Sequence, residues 1–245
     1  MLRHLGNRRA YGHDVRIAAL LSLTAGLVNA TGFLGFSVLT TNVTGHAALF
    51  AERMVMEDWK TSRVVALWMF LFLAGAFLSS MIINSVGRNQ RFSYVIPLLV
   101  EMTALILIGV LGYRYDHSLV ARELFAGSLL FVMGMQNAMV SMVSGSAVRT
   151  THLTGTFTDL GIELAQFFKG EKKELSTLKL KLKLRVTIIF CFLSGAIAGA
   201  YVFRYVRYHA FFLPALILVY TLFYDIFRIQ LKRYYRQFSG RPGEK

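Results

Sequence analysis

The sequence predicts an all-α, polytopic transmembrane helix bundle with about six full spans, two short helices and two internal repeats. Three observations predict it. Of the 245 residues 55% are hydrophobic and only 16% charged, where an ordinary soluble domain carries about 25% charged residues. The apolar residues form long runs, and the mean hydropathy is +0.51. The charges lie between the runs and sum to +14, from 27 Lys and Arg against 13 Asp and Glu. A basic nucleic-acid binder would spread such charge over a surface, whereas basic residues gathered at the ends of apolar runs mark the cytoplasmic side of a membrane protein. A soluble enzyme, a disordered chain and a disulfide scaffold are excluded, and no nucleic-acid partner is expected. The lone Cys191 lies inside an apolar run and reads as a small buried hydrophobe.

Six apolar segments are strong, at roughly 15–37, 64–86, 92–113, 119–146, 184–206 and 209–230. Each is near the roughly 20 residues that a helical span needs. The first follows Arg3, Arg8, Arg9 and Arg16. It is longer than the apolar core of a signal peptide, so it is expected to be retained. Two weaker segments, roughly 42–54 and 152–168, are short and polar at their starts. Trp59, Tyr94, Tyr113 and Tyr208 lie near segment ends, as interfacial rings do. The loop Lys169–Arg185 and the tail after Asp225 are basic. They are expected in the cytoplasm with both termini, the loop held by anionic lipid headgroups. The chain is expected to be one transmembrane domain over 1–245.

An internal repeat divides it. Gly26-Leu27-Val28-Asn29-Ala30 matches Gly134-Met135-Gln136-Asn137-Ala138 at a shift of 108. Thr41-Asn42-Val43-Thr44-Gly45 matches Thr151-His152-Leu153-Thr154-Gly155 at 110, and Phe72-Leu73-Ala74-Gly75-Ala76 matches Phe192-Leu193-Ser194-Gly195-Ala196 at 120. Pro97 matches Pro214 at 117. The halves, about 15–113 and 119–230, each read as long, short, long, long. If the short helices cross, there are eight spans and the halves are parallel. If they only dip in, there are six and the halves are inverted. The first short segment has too few apolar-compatible residues to span, which favours six.

Chemistry-bearing residues gather at the short segments. Thr41, Asn42 and Thr44, like Thr151 and Thr154, can cap a helix start followed by Gly45 or Gly155. A helix start at membrane depth also presents free N–H groups to an anion or carboxylate. The bland reading is capping alone. His152, Thr156, Asp159 and Glu163 form one polar stripe, with Leu153, Phe157, Leu160 and Leu164 opposite. The stripe lines a wet cavity, or it is the solvated face of an interfacial helix. Asn29 and Asn137 lie on small-residue faces, where an inter-helix hydrogen bond competes with substrate contact. Gly75-x-x-x-Ser79 and Gly195-x-x-x-Gly199 read as packing patterns. Glu101 lies in mid-segment, where a charge is costly unless paired, protonated or wetted, so it could carry a proton. Arg149 could pair with Asp159 or attract an anion, and His46 and His152 could take protons. No metal-ligand spacing, phosphate loop or nucleophile elbow is present, so no metal, cofactor or catalytic residue is expected and the chain does not read as an enzyme.

Gly134-Met135-Gln136-Asn137-Ala138, then Arg149-Thr150-Thr151-His152-Leu153-Thr154-Gly155-Thr156 and Asp159-Leu160-Gly161, resembles the YoaK-like family of bacterial membrane proteins. Asn29 and Thr41-Asn42-Val43-Thr44-Gly45-His46 resemble its amino-terminal motif. The resemblance covers about residues 15 to 230. It implies a small bacterial inner-membrane protein of about six spans and brings no catalytic residues.

The leading functional expectation is a secondary transporter or permease for a small solute. Asn29, Thr41, Asn42, Thr44, Gly45, His46, Asn137, Thr151, His152, Thr154, Gly155 and Thr156 would supply ligand contacts, and Glu101, Asp159 and Glu163 proton coupling. The alternative is a non-transporting scaffold or sensor subunit, in which the polar stripe pairs within the protein. A membrane-embedded enzyme is a third class.

Overall fold

The computed structural model describes residues 11–87, 94–115, 118–144, 150–169 and 175–224. These form eight helical rods, with no strand among the described residues. In chain order they are α1 (Tyr11–Phe36), α2 (Val43–Val55), α3 (Trp59–Val86), α4 (Val95–Leu111), α5 (Leu119–Ser144), α6 (Leu153–Lys169), α7 (Leu175–Val206) and α8 (212–224). Five stretches are long and apolar enough to cross a membrane: Ala18–Phe36, Trp59–Val86, Val95–Arg114, Leu119–Met142 and Leu175–Tyr224. The last holds two rods, α7 and α8, joined by a 3-10 turn at Arg207–Phe211. The protein is a multi-pass helical membrane bundle.

Local chemistry sets the breaks. Ser37, Glu57 and Arg207 take positive φ of 58°, 58° and 50° and turn the chain after α1, α2 and α7. Asp58 starts α3 by accepting the Thr61 backbone N–H at 3.1 Å. The Thr61 hydroxyl and, after it, this backbone hydrogen bond hold the Asp58 carboxyl below its ordinary range. One expectation needs correction: α7 begins at Leu175, so most of the basic segment read as the loop Lys169–Arg185 is helix. Leu178, Leu184 and Ile188 bury one face, and that tertiary contact carries the helix beyond the apolar run.

Two close crossings organise the bundle. A Cβ at Gly26 of α1 would fall on the Phe192 carbonyl of α7, and one at Gly195 of α7 on the Leu23 carbonyl of α1. In the same way Gly75 of α3 lies on the Phe131 carbonyl of α5, and Gly134 of α5 on the Phe72 carbonyl of α3. Only hydrogen at these positions lets the backbones meet. In both pairs the helices run the same way, since Gly195 meets Leu23 and Gly199 meets Leu27. By contrast α1 and α5 are antiparallel: Gly32 of α1 lies by Leu129, while Leu21 accepts a hydrogen bond from Gln136.

The ends of the rods follow from contacts. Phe36, at the end of α1, stacks on Phe125 near the start of α5 with centroids 5.3 Å apart. Trp68 of α3 donates its indole N–H to Glu123, also near the start of α5. So α1 ends, and α3 and α5 begin, at one end of the bundle. Tyr208 donates to the Gly35 carbonyl at that same end, and Arg16 donates to Tyr224 at the other, so α8 runs back along α1. Since α1 finishes and α3 starts at the same end, α2 does not cross. Its 13 residues reach only about 20 Å, short of a hydrocarbon core of about 30 Å.

The surface is apolar outward. Phe70, Phe77, Phe190, Ile197 and Phe223 are each more than 60% exposed on the outer faces, where lipid tails replace water. Inside, Thr24, Thr31 and Thr221 satisfy their hydroxyls on carbonyls one turn back.

Gly75→Leu and Gly195→Leu are each expected to destabilise the purified protein by about 3 kcal/mol or more, at the top of the overpacking range because backbone is struck. Gly161→Ala, where a Cβ meets nothing within 4 Å, is expected to be neutral or to stabilise by about 0.5–1 kcal/mol. Thermal unfolding in detergent checks both. In a Cys191→Ser background, Glu57→Cys and Thr177→Cys are expected to label from opposite sides of the membrane with an impermeant thiol reagent. Labelling of both from one side would refute the placement of α2.

Candidate functional site

The two short helices begin inside the bundle. The Thr41 N–H and hydroxyl both reach the Asn29 Oδ1, at 3.2 and 3.0 Å. Asn29 lies seven residues before the end of α1, about 10 Å below it. The chain therefore folds back after α1 before α2 starts. Asn42 caps α2, accepting the Gly45 N–H at 2.9 Å. Gly45 is needed there because a Cβ would lie 2.6 Å from the Asn42 amide nitrogen. The inter-helix seam expected for Asn29 is thus a bond to the start of α2.

The start of α6 is held in the corresponding way by a different residue. Gln136, fully buried on α5, donates to the Leu21 carbonyl of α1 at 2.8 Å and to the Thr150 hydroxyl at 3.4 Å. It lies eight residues before the end of α5, about 12 Å. His152 packs its ring over Gly155 as Asn42 packs over Gly45, so the glycine serves the cap in both motifs. Thr156 donates its hydroxyl to the His152 carbonyl at 2.9 Å. The Asn137 Oδ1 has no partner among the described residues, unlike Asn29.

The remaining candidates separate. Asn42, Thr44, His152 and Thr154 are exposed, and Thr41 and Thr151 are half-buried. His46 is buried and tied elsewhere: its Nε2 lies 2.8 Å from the Leu39 carbonyl, and its ring meets the edge of Trp68 at 5.3 Å. Arg122 stacks over the other ring system of this group, 5.6 Å from the Trp68 centroid, and pairs with Glu123 at 3.3 Å. Glu101 is fully buried on α4, and neither carboxylate oxygen has a hydrogen-bond partner among the described residues. Arg149, expected to pair with Asp159, lies outside the described residues.

The polar stripe of α6 is divided: Thr156 and Glu163 are buried, Asp159 is half-exposed and His152 exposed. Phe157, Ile162 and Phe168 are exposed. Arg185 of α7 meets it, 3.0 Å from Asp159 and 3.5 Å from Glu163. The Glu163 contact is an ion pair without a hydrogen bond, since the Arg185 Nε and Glu163 Oε2 both lack a hydrogen-bond partner. Sequence reasoning missed Arg185 because the residue appeared as the end of a basic loop. It missed Gln136 as a ligand-side group because the neighbouring Asn137 carried the match to Asn29. The usable signal was that Gln136 aligns with an apolar residue, Val28.

Among the described residues Arg185 is the counter-charge to the buried Glu163. Arg185→Ala is expected to destabilise by about 3 kcal/mol, the lower end for a broken buried pair because the guanidinium is partly exposed. Glu163→Gln/Arg185→Met is expected to recover most of that loss. Thermal unfolding of the three variants measures it.

No curated protein and no solved structure matches this chain. A family of proteins of unknown function does match, over residues 17–224, which include both short helices and all six long segments. The chain belongs to that family, described as "Protein of unknown function (DUF1275)".

Proposed function

We propose that the protein is a secondary transporter or permease for a small solute, placed in a bacterial inner membrane with both termini in the cytoplasm. The observation that carries this reading is that both short helices start inside the bundle, against Asn29 and Gln136, instead of at its end. Non-helical backbone at that depth is tolerated where protein buries it or where it lines a solute path. Paired interrupted segments at corresponding places are how many transporters build a site. The two halves are read as an inverted repeat. Supporting this, α1 pairs with α7 and α3 with α5 through glycines that the repeat matches, Gly26 with Gly134 and Gly75 with Gly195. Corresponding helices α1 and α5 are antiparallel, as inversion requires.

In this reading the threonines and amides of the two starts contact solute, and Glu101 carries the proton. Asp159 and Glu163 share in coupling through the exchange of Arg185 between them. The Lys179, Lys181 and Lys183 side chains at the start of α7 are exposed and meet anionic headgroups. No covalent chemistry is assigned to the site.

A second reading, a non-transporting scaffold or sensor subunit, is favoured by one observation. Asp159 and Glu163 pair within the protein, with Arg185. Reconstituted full-length protein separates the two. Transport predicts saturable uptake of at least one small solute, driven by an imposed pH gradient, and Glu101→Gln uncouples uptake from the gradient. No flux for amino acids, organic acids or sugars under either gradient, with the protein folded, would overturn it in favour of the scaffold.

A further inference from the structure

The starts of α2 and α6 differ in what they leave unbonded. At α2 the amide oxygen of Asn29 is filled twice by Thr41. The residues there that match Ser22 and Gln136, shifted by 108, are Leu130 and Val28, both apolar. Among the described side chains there, the Thr40 hydroxyl has no partner. The amide at that start is bonded within the protein.

The start of α6 is not closed. Gln136 must turn its amide nitrogen toward Leu21, because a carbonyl only accepts. The same nitrogen lies 3.4 Å from the Thr150 hydroxyl, and the Oε1, turned away from the Leu21 bond, has no partner among the described residues. Ser22, next to Leu21 on α1, is fully buried with its hydroxyl unpartnered. Asn137, next to Gln136 on α5, has an unpartnered and buried Oδ1. Since α1 and α5 are antiparallel, one residue's advance turns both helices to the same side of their interface. Ser22 and Asn137 thus flank one place, with Gln136 between them and Thr150 leading into α6. Three oxygens there lack donors. The first N–H groups of α6, on Leu153 and Thr154, have no acceptor within the helix. Buried acceptors left empty are costly, by an amount comparable to a full desolvation. A ligand with donors at one end and a negative group at the other satisfies both sets.

We propose that the start of α6 is a binding site for a small zwitterion of the amino-acid class. Its ammonium meets Ser22 Oγ, Gln136 Oε1 and Asn137 Oδ1, and its carboxylate meets the N–H groups of Leu153 and Thr154. The start of α2 is its structural counterpart, with its amide oxygen already bonded by Thr41. This rests on reading the short helices as the walls of a solute site.

The test is ligand-induced thermal stabilisation of the full-length protein in detergent, with the twenty common L-amino acids tried singly. At least one is expected to raise Tm saturably. The carboxylic acid and the amine of the same carbon skeleton are each expected to bind at least ten-fold more weakly. Gln136→Leu also removes the tie to Leu21 and can unfold the bundle, so Ser22→Ala and Asn137→Ala are the informative variants. Each is expected to weaken binding by about ten-fold, the usual loss of one hydrogen bond to a charged group, while Gly161→Ala binds as the unaltered chain does. Stabilisation by no amino acid would overturn the proposal and leave internal water as the occupant. Equal binding of the carboxylic acid, or undiminished binding by both variants, would also overturn it. Uptake of another solute without amino-acid binding would remove this site and spare the transport reading. Saturable binding without flux would keep the site and remove transport.

Discussion

Direct backbone contact between helices at four glycines is the constraint on which the rest of this bundle depends. In lipid, apolar side chains gain nothing by leaving one hydrocarbon for another, so helices are held by close packing. Gly26 with Gly195, and Gly75 with Gly134, let carbonyls of one helix fill the space where a Cβ would stand on the other. Each contact joins the first half of the chain to the second. Neither half can therefore complete its own packing alone, and the central α1–α5 seam is fixed between the two crossings.

That framework gives the short helices their unusual position. With α1 ending and α3 beginning at the same end, α2 has no route across. It is folded back between them, and its start is pinned to an amide on α1. At the start of α6 the pin is Gln136, which reaches Leu21 on α1 as well as Thr150. One side chain thus joins both long central helices to the beginning of a short one. The same place holds the unfilled oxygens of Ser22, Gln136 and Asn137. The positions that the repeat sets against Ser22 and Gln136 are Leu130 and Val28, which carry no such oxygens.

Arg185 adds a second polar layer. It stands at the inner edge of α7, where the basic helix start gives way to the apolar run. It pairs with both Asp159 and Glu163 of α6, of which Glu163 is buried. The partner of that buried carboxylate comes from another helix.

Much of the fold was legible in the sequence. Run lengths of apolar residues located the long helices, because a span must satisfy its backbone internally and needs a fixed length. The Thr-x-x-Thr-Gly motifs located the two helix starts, because capping and the glycine beneath the cap are local. The sequence also placed Glu101 in mid-segment and a carboxylate stripe on α6. What it could not supply is which surfaces meet. Pairing of α1 with α7 leaves no local trace, since Gly26 and Gly195, 169 positions apart, look like any small residues until their carbonyl neighbours are known. For the same reason Arg185 looked like the end of a loop and Gln136 like a bystander to Asn137. Local hydrogen bonds and hydropathy determined the elements. Only long-range backbone approach decided their directions, the partner of the buried carboxylates, and which of the two helix starts was left with empty acceptors.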